Sequence, residues 1–444
     1  MTRYHAAWIL PVVSAPLRNA TVVEQGGRIV YVGPRDDAPG GGEDVELGEV
    51  LLLPGLVNAH CHLELTAMRG FLDGLAFRDW IVRLTTARRA ILTQDMLLDA
   101  ARLGVDEGLR HGITTFADTG DTGAGFDAML ERGVRGVCYR EVFGPDPDQC
   151  ADTIAALEER VAEMRGRATR LVAVGVSPHA PYSVSDALFR ATASLARQYD
   201  MPLAVHIAES AVEHDLVEHG TGAFAEGLRS RGIHVSPRAR TPIALLDALG
   251  VLYERALLIH CVDVDAGDID AISHHRCAVA HCPASNAKLG HGIAPLAALL
   301  AAGITVGIGT DSVASNDRMD VLEEARLATL MASARETRHD ALGASKALDL
   351  ATLGGARALG LADEIGSLEV GKAADLAAFA IPRHRLPVHE PVAALVYSMA
   401  GMPATFVAVA GTVHVRDGCL VDADDALPGR VQATADLLQR WLAG

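Results

Sequence analysis

Eighteen histidines are spread along the chain, and two of them, His60 and His62, stand one residue apart directly after Gly55-Leu56-Val57-Asn58-Ala59. In an extended strand, residues i and i+2 project to the same side, so both imidazoles can meet one ion. Other metal-ligand residue types end later apolar runs. His206 closes Leu203-Ala204-Val205, His260 closes Ala256-Leu257-Leu258-Ile259, and Asp311 follows Val306-Gly307-Ile308-Gly309-Thr310. Taken singly, each has a plain structural reading: a satisfied core histidine, or for Asp311 a helix N-cap. Taken together at the ends of four runs, they can share one metal centre. A divalent ion held there would lower the pKa of a water from 15.7 to about 7, giving a nucleophile for hydrolysis at neutral pH.

Side chains as distant as residues 60 and 311 meet only if many elements return to one face. Eight strand-like runs lie between Pro54 and about residue 360: Leu56–Ala59, Thr114–Ala117, Gly136–Val142, Leu171–Val176, Leu203–His206, Ala256–His260, Ala278–His281 and Thr305–Gly309. Helical stretches such as Met96–His111, Asp152–Met164 and Ser185–Tyr199 separate most of them. This alternation predicts an α/β fold, a (β/α)8 TIM-type barrel whose active site lies at the C-terminal ends of the strands. An open doubly wound sheet is the alternative, but no glycine-rich dinucleotide turn follows the first strand.

Both chain ends read as short strands and turns. Ala20–Glu24, Arg28–Gly33 and Val50–Leu53 precede the barrel; Asp375–Ala380, Ala394–Val396, Thr405–Val409 and Val413–Val415 follow it, with a terminal helix over Val431–Leu442. The expected division is therefore 1–54 and 366–444 as the two parts of a small β-sandwich domain built from both termini, with the barrel at 55–365.

Composition narrows the function. With 39 Lys+Arg against 56 Asp+Glu the formal charge is −17, which disfavours nucleic acid as a partner. No apolar run reaches the roughly 20 residues of a membrane span, and the N-terminus lacks a clear signal-peptide cleavage site. Seven scattered cysteines suit a reduced, cytoplasmic chain.

Several segments resemble the amidohydrolase superfamily. They are Pro54-Gly55-Leu56-Val57-Asn58-Ala59-His60-Cys61-His62-Leu63-Glu64, His206-Ile207-Ala208-Glu209, His281-Cys282-Pro283-Ala284-Ser285-Asn286-Ala287-Lys288-Leu289, Gly309-Thr310-Asp311-Ser312-Val313-Ala314-Ser315-Asn316 and Gly366-Ser367-Leu368-Glu369-Val370-Gly371-Lys372-Ala373-Ala374-Asp375-Leu376. Together they are similar to the branch that holds chlorohydrolases and the adenosine-type, guanine and cytosine deaminases, and the likeness spans nearly the whole chain. The resemblance implies that His60, His62, His206 and Asp311 are metal ligands, that Glu209 is the acid/base, and that His260 assists the water or the leaving group. Asp311 can either ligate the ion or accept a proton. His281 lies in a family segment and reads equally well as a structural histidine. Two-metal members bridge their ions with a carboxylated lysine at the end of strand 4. The only lysines here are Lys288, Lys346 and Lys372, so one divalent ion is expected, zinc first, with iron or manganese also suited to such ligands.

The substrate is read from the mouth. Phe77-Arg78-Asp79-Trp80-Ile81, Arg140-Glu141-Val142-Phe143-Gly144 and Ser177-Pro178-His179-Ala180-Pro181-Tyr182-Ser183 most resemble aminodeoxyfutalosine deaminases of the alternative menaquinone route, and also S-adenosylhomocysteine and methylthioadenosine deaminases. By that resemblance Trp80, Arg140 and His179 are candidate substrate contacts. Trp80 would stack on a purine, or else be a core aromatic of a helix over Phe77–Leu84. Arg140 would grip a carboxylate or phosphate, or else pair with a neighbouring acid. Glu141, next in a regular strand, would point the opposite way from Arg140. The expected reaction is release of ammonia from the adenine 6-amino group of a 5′-substituted nucleoside, by a protein that the resemblance implies is a homodimer. Guanine, 8-oxoguanine or cytosine deamination and chlorohydrolysis could use the same site. A catalytically silent binding protein is the reading of another class, against which the intact residue set stands.

Overall fold

In the computed structural model, which describes residues 1–443, the apolar runs form two eight-stranded sheets. Gly444, the last residue of the expected C-terminal part, lies outside the described residues. The central sheet is parallel throughout. Its strands are Leu56–Cys61, Ile113–Gly120, Arg135–Val142, Val172–Pro178, Leu203–Ile207, Ala256–His260, Ala278–His281 and Thr305–Ile308, each beside its predecessor in the chain. They are barrel strands 1 to 8 below. Strand 8 returns to strand 1: Cys61 and Asp311 form a parallel bridge, and the Asp311 N–H donates to the His60 carbonyl at 3.0 Å. The sheet is therefore a (β/α)8 barrel.

The strands are apolar on both faces because both are covered. Val57, Ala59, Val137, Tyr139, Ala204, Leu257, Ile259 and Ala280 pack together in the barrel interior. Their neighbours Cys138, Val205, Leu258 and Val279 join the larger core formed with the helices. Several helices of the outer layer begin at a side chain that accepts an orphan backbone N–H: Thr93, Ser185, Ser210, Thr241, Asp265 and Asp320. Such caps contribute about 1 kcal/mol each.

The second sheet takes Thr2–Ile9, Leu17–Gln25, Arg28–Pro34 and Glu43–Pro54 from the N-terminal part and Leu376–Ala380, Phe406–Val409, Thr412–Arg416 and Cys419–Leu420 from the C-terminal part. The halves join where Glu43–Pro54 pairs antiparallel with Leu376–Ala380, Pro54 opposite Leu376. Tyr4 and Phe406 lie on strands three places apart in this sheet, which would separate them by about 14 Å if it were flat. Their ring centroids are 5.1 Å apart, so the sheet curls over a core of its own that also holds Val22, Leu52 and Leu376. A buried bidentate pair, Arg135 Nε to Asp375 Oδ2 at 2.8 Å and Nη2 to Oδ1 at 3.1 Å, ties this sheet to barrel strand 3.

One expected strand is a correction. Ala394–Val396 is helical and continues the turn Pro391–Ala393. Glu390 accepts the Val392 N–H at 3.1 Å and also that of Ala393, and Pro391 occupies the first helical position. This start signal overrides the β-branched valine. The C-terminal helix Leu427–Ala443 returns to the barrel mouth, where Leu438, Trp441 and Leu442 pack with Leu65, Met68, Phe77 and Trp80. No helix among the described residues is long and apolar enough to cross a membrane.

Candidate metal centre and active site

Strands 1, 5 and 8 deliver four side chains to one point. One ligand atom from each of His60, His62, His206 and Asp311 lies within 4.8 Å of all the others. Asp311 Oδ1 is 3.3 Å from His60 Nε2 and 3.4 Å from His62 Nε2, and His62 Nε2 is 3.3 Å from His206 Nε2. His60 Nε2 is buried and makes no hydrogen bond. Three imidazole nitrogens and one carboxylate oxygen converging on a point, one of them an orphan, fit a divalent cation.

The electrostatics agree. Burial, and then the neighbouring His60, push His62 down to about 3, while burial also holds His60 and His206 below the usual histidine range. Neutral imidazoles keep their lone pairs for a metal. Burial alone would raise the Asp311 carboxyl, but the imidazoles, His60 first, outweigh it and hold it well below the usual range. Asp311 Oδ2 accepts hydrogen bonds from the Ser285 and Ser315 hydroxyls, which leaves Oδ1 for the cluster.

Glu209 stands beside this cluster. Its Oε1 is 3.6 Å from His260 Nε2 and 3.3 Å from His291 Nε2. Burial pushes its carboxyl up, yet His260 and then His291 outweigh that and leave it lowered, so it is in the base form at neutral pH. His260 Nδ1 is 2.9 Å from Asn286 Oδ1. Donation there directs Nε2, which has no hydrogen-bond partner, towards Glu209. The loop carrying Glu209 is clamped by buried Glu213, which accepts the Ala208 N–H at 3.0 Å and the Glu209 N–H at 2.9 Å. Ala208, His260 and Asp311 all have left-handed backbone, with φ of 50°, 77° and 57°. Such strain costs on the order of 1–3 kcal/mol per residue and concentrates at functional sites.

The expected substrate contacts are placed unequally. His179 reaches the cluster: its ring is 4.7 Å from that of His206, its Nδ1 is 2.7 Å from Ser183 Oγ, and burial pushes it down to about 4. Trp80 lies in the apolar group of the mouth. It is 7 % exposed and packs on Phe77, and it is Phe77 whose ring contacts His291, centroids 4.5 Å apart. Arg140 lines an open cleft with Arg89, Asp121, Glu141, Phe143, Asp152 and Arg160, and makes no ion pair among the described residues. Glu141 points inward after Val137 and Tyr139, and its Oε1 is 3.9 Å from His206 Nδ1. Glu141, His179 and His206 form a second close group that shares His206.

Glu141, Glu213, Ser285, Asn286 and His291 are the additions to the residues expected from sequence. Ser285 and Asn286 sit inside a quoted family segment. For Glu141 the sequence offered no signal, because strand 3 is buried on both faces and its register is not readable from the pattern. His281 stays outside the four-residue cluster, buried with its Nδ1 unpartnered.

Fold and site together define a metal-dependent hydrolase built on a (β/α)8 barrel. Residues 51–414 match the Amidohydrolase family, and the chain belongs to it, an enzyme acting on carbon–nitrogen bonds. A relative from Desulforudis audaxviator, a 5-methylthioadenosine/S-adenosylhomocysteine deaminase, is 33% identical over 424 residues, covering 94% of each chain. Among solved structures, an adenosine deaminase from Xanthomonas campestris with bound zinc superposes with a TM-score of 0.88 at 30% identity, covering 99% of this chain and 98% of its own. A zinc-containing atrazine chlorohydrolase from Arthrobacter aurescens reaches 0.84 at 27% identity, covering 99% and 100%.

Proposed function

We propose that the protein is a hydrolytic deaminase that releases ammonia from the adenine 6-amino group of a 5′-substituted nucleoside, of the aminodeoxyfutalosine type or the S-adenosylhomocysteine/methylthioadenosine type. The observation that carries this reading is the ionised, buried Glu209 between two imidazoles, beside a four-ligand cluster. The deaminase relatives support it.

His60, His62, His206 and Asp311 would hold one divalent ion, zinc first, and no lysine is available on strand 4 for a bridge to a second. When bound, the ion supplies Lewis acidity that brings a water's pKa to about 7. Glu209 takes the proton the water loses and passes it to a ring nitrogen, making the adjacent carbon electrophilic. A second transfer through Glu209 carries the remaining hydroxyl proton to the amine, which leaves as ammonia, and the ring retains the oxygen as an oxo group. His260, oriented by Asn286, stabilises the attacking oxygen. Asp311 is a second proton acceptor within the cluster. Arg140, which makes no ion pair among the described residues, would grip an anionic 5′ substituent from the cleft it lines, and His179 would contact the nucleoside nearer the cluster.

The test is a panel of adenine nucleosides with carboxylate-bearing and methylthio 5′ groups, alongside guanine, cytosine and a chlorotriazine, read as ammonia or chloride release. Ammonia from 5′-substituted adenine nucleosides is expected. Ammonia from guanine or cytosine alone, or chloride from the triazine alone, overturns the reading. Arg140→Met should raise KM about tenfold or more for a carboxylate-bearing substrate and leave the methylthio one within about twofold.

A further inference from the structure

Glu209 has a second imidazole neighbour for which the reaction above has no use. His291 lies in the loop after the short helix Pro283–Lys288, between Gly290 at φ 74° and Gly292 at φ 109°. Two glycines in left-handed backbone fold this loop back over the mouth, a path that side-chain-bearing residues resist. The His291 N–H donates to the Asn286 carbonyl at 2.9 Å. Asn286 thus registers both imidazoles, His260 through its side chain and His291 through its backbone. The His291 side chain is only 3 % exposed, and its ring stands edge-on to Phe77 with an interplanar angle of 84°. Its Nε2 is 3.3 Å from Glu209 Oε1 yet makes no hydrogen bond.

We propose that His291 is a positioning residue for Glu209. Phe77 and the Asn286 carbonyl fix the imidazole, and the imidazole, together with His260, fixes Glu209 Oε1. The other carboxylate oxygen is then left to exchange protons with the substrate. Phe77 acts through His291 as a brace, and the aromatic group behind it, Trp80 included, backs that brace. This inference rests on the deaminase reading for its kinetic consequence, but not for its geometry.

The test compares wild type with His291→Leu, which keeps the packing against Phe77 and removes the nitrogen, and His291→Gln, which keeps an N–H within reach of the same oxygen. Each is measured for kcat, KM, metal content and thermal midpoint, and the zinc-loaded forms are crystallised. His291→Leu should lower kcat about 10- to 100-fold, because a misplacement of about 1 Å in a reacting group can cost about 10²-fold. KM should stay within about threefold, metal content and thermal midpoint should be unchanged, and His291→Gln should recover most of the loss. In the crystals Glu209 should leave its wild-type position in the Leu variant and keep it in the Gln variant. An unmoved Glu209 in the Leu variant, or full kcat there, overturns the proposal. If wild type turns over nothing in the panel, the deaminase reading fails, while the position of Glu209 in the crystals still decides the role of His291.

Discussion

At the scale of single residues, the site works by giving each polar atom one task. Asp311 commits Oδ2 to Ser285 and Ser315 and keeps Oδ1 for the imidazoles. Hydrogen bonds of this kind orient ligands, and their loss typically costs about 10- to 100-fold in metal affinity. Ser285→Ala should therefore weaken zinc binding by about that factor in competition with a chelator; an unchanged affinity would show that Ser315 alone orients the carboxylate. In the proposed reaction Glu209 carries the proton traffic, a role worth about 10²- to 10⁴-fold. Glu209→Gln should retain its metal and lose activity by about that factor, measured as ammonia release beside metal analysis, and a near-wild-type rate would remove Glu209 from the mechanism. These residue types were legible: His60, His62, His206, His260 and Asp311 stand at the ends of apolar runs. His291 was not. It follows no strand, and its approach to Glu209 depends on a glycine-flanked loop whose path local sequence does not specify.

At the scale of elements, the strands set the depth of each side chain and the caps hold the loops that follow. Glu213, near the start of its helix, clamps the backbone of residues 208 and 209, so a helix start fixes a strand end. The link between the barrel and the terminal sheet is as specific. Asp375 meets Arg135 in a buried bidentate pair and also accepts the Ala410 N–H at 2.7 Å. Removing one partner of a buried pair leaves an uncompensated charge, at a cost of about 3–5 kcal/mol. Asp375→Ala should lower stability by that amount in urea unfolding, and a loss below about 1 kcal/mol would mean that Arg135 finds water or another acceptor. The eight barrel strands were legible because parallel strands covered on both faces are continuous apolar runs. The same property hid the register of strand 3: with both faces buried, the pattern does not say whether Arg140 or Glu141 points inward. Ala394–Val396 misled because its composition is strand-like, while the decision lay in Glu390 and Pro391 just before it.

At the scale of the whole molecule, both chain ends close one sheet against the barrel, and its core carries a pH dependence. Burial, and then Arg132, push His414 down to about 4. In the unfolded chain its value is about 6.5, so the unfolded state takes up the proton first as pH falls. His414 therefore costs nothing above pH 6.5; the cost grows between 6.5 and 4 and is complete below 4, on the order of 3 kcal/mol. Urea midpoints of wild type and His414→Leu, followed from pH 7.5 to 4, should diverge only within that window, with wild type losing more; parallel curves would contradict it. The −17 charge stays compatible with an arginine-lined cleft, because net charge does not describe a single mouth. By itself the sequence determined the barrel, the histidines and the aspartate at its strand ends, and the lack of a lysine for a second-ion bridge, since these rest on local runs and on composition. Only the tertiary structure decided that Glu141 faces His206, that Phe77 stands between Trp80 and the centre, and that His291 joins His260 at Glu209. Those contacts join elements far apart in the chain, through packing and loop paths that no local pattern encodes.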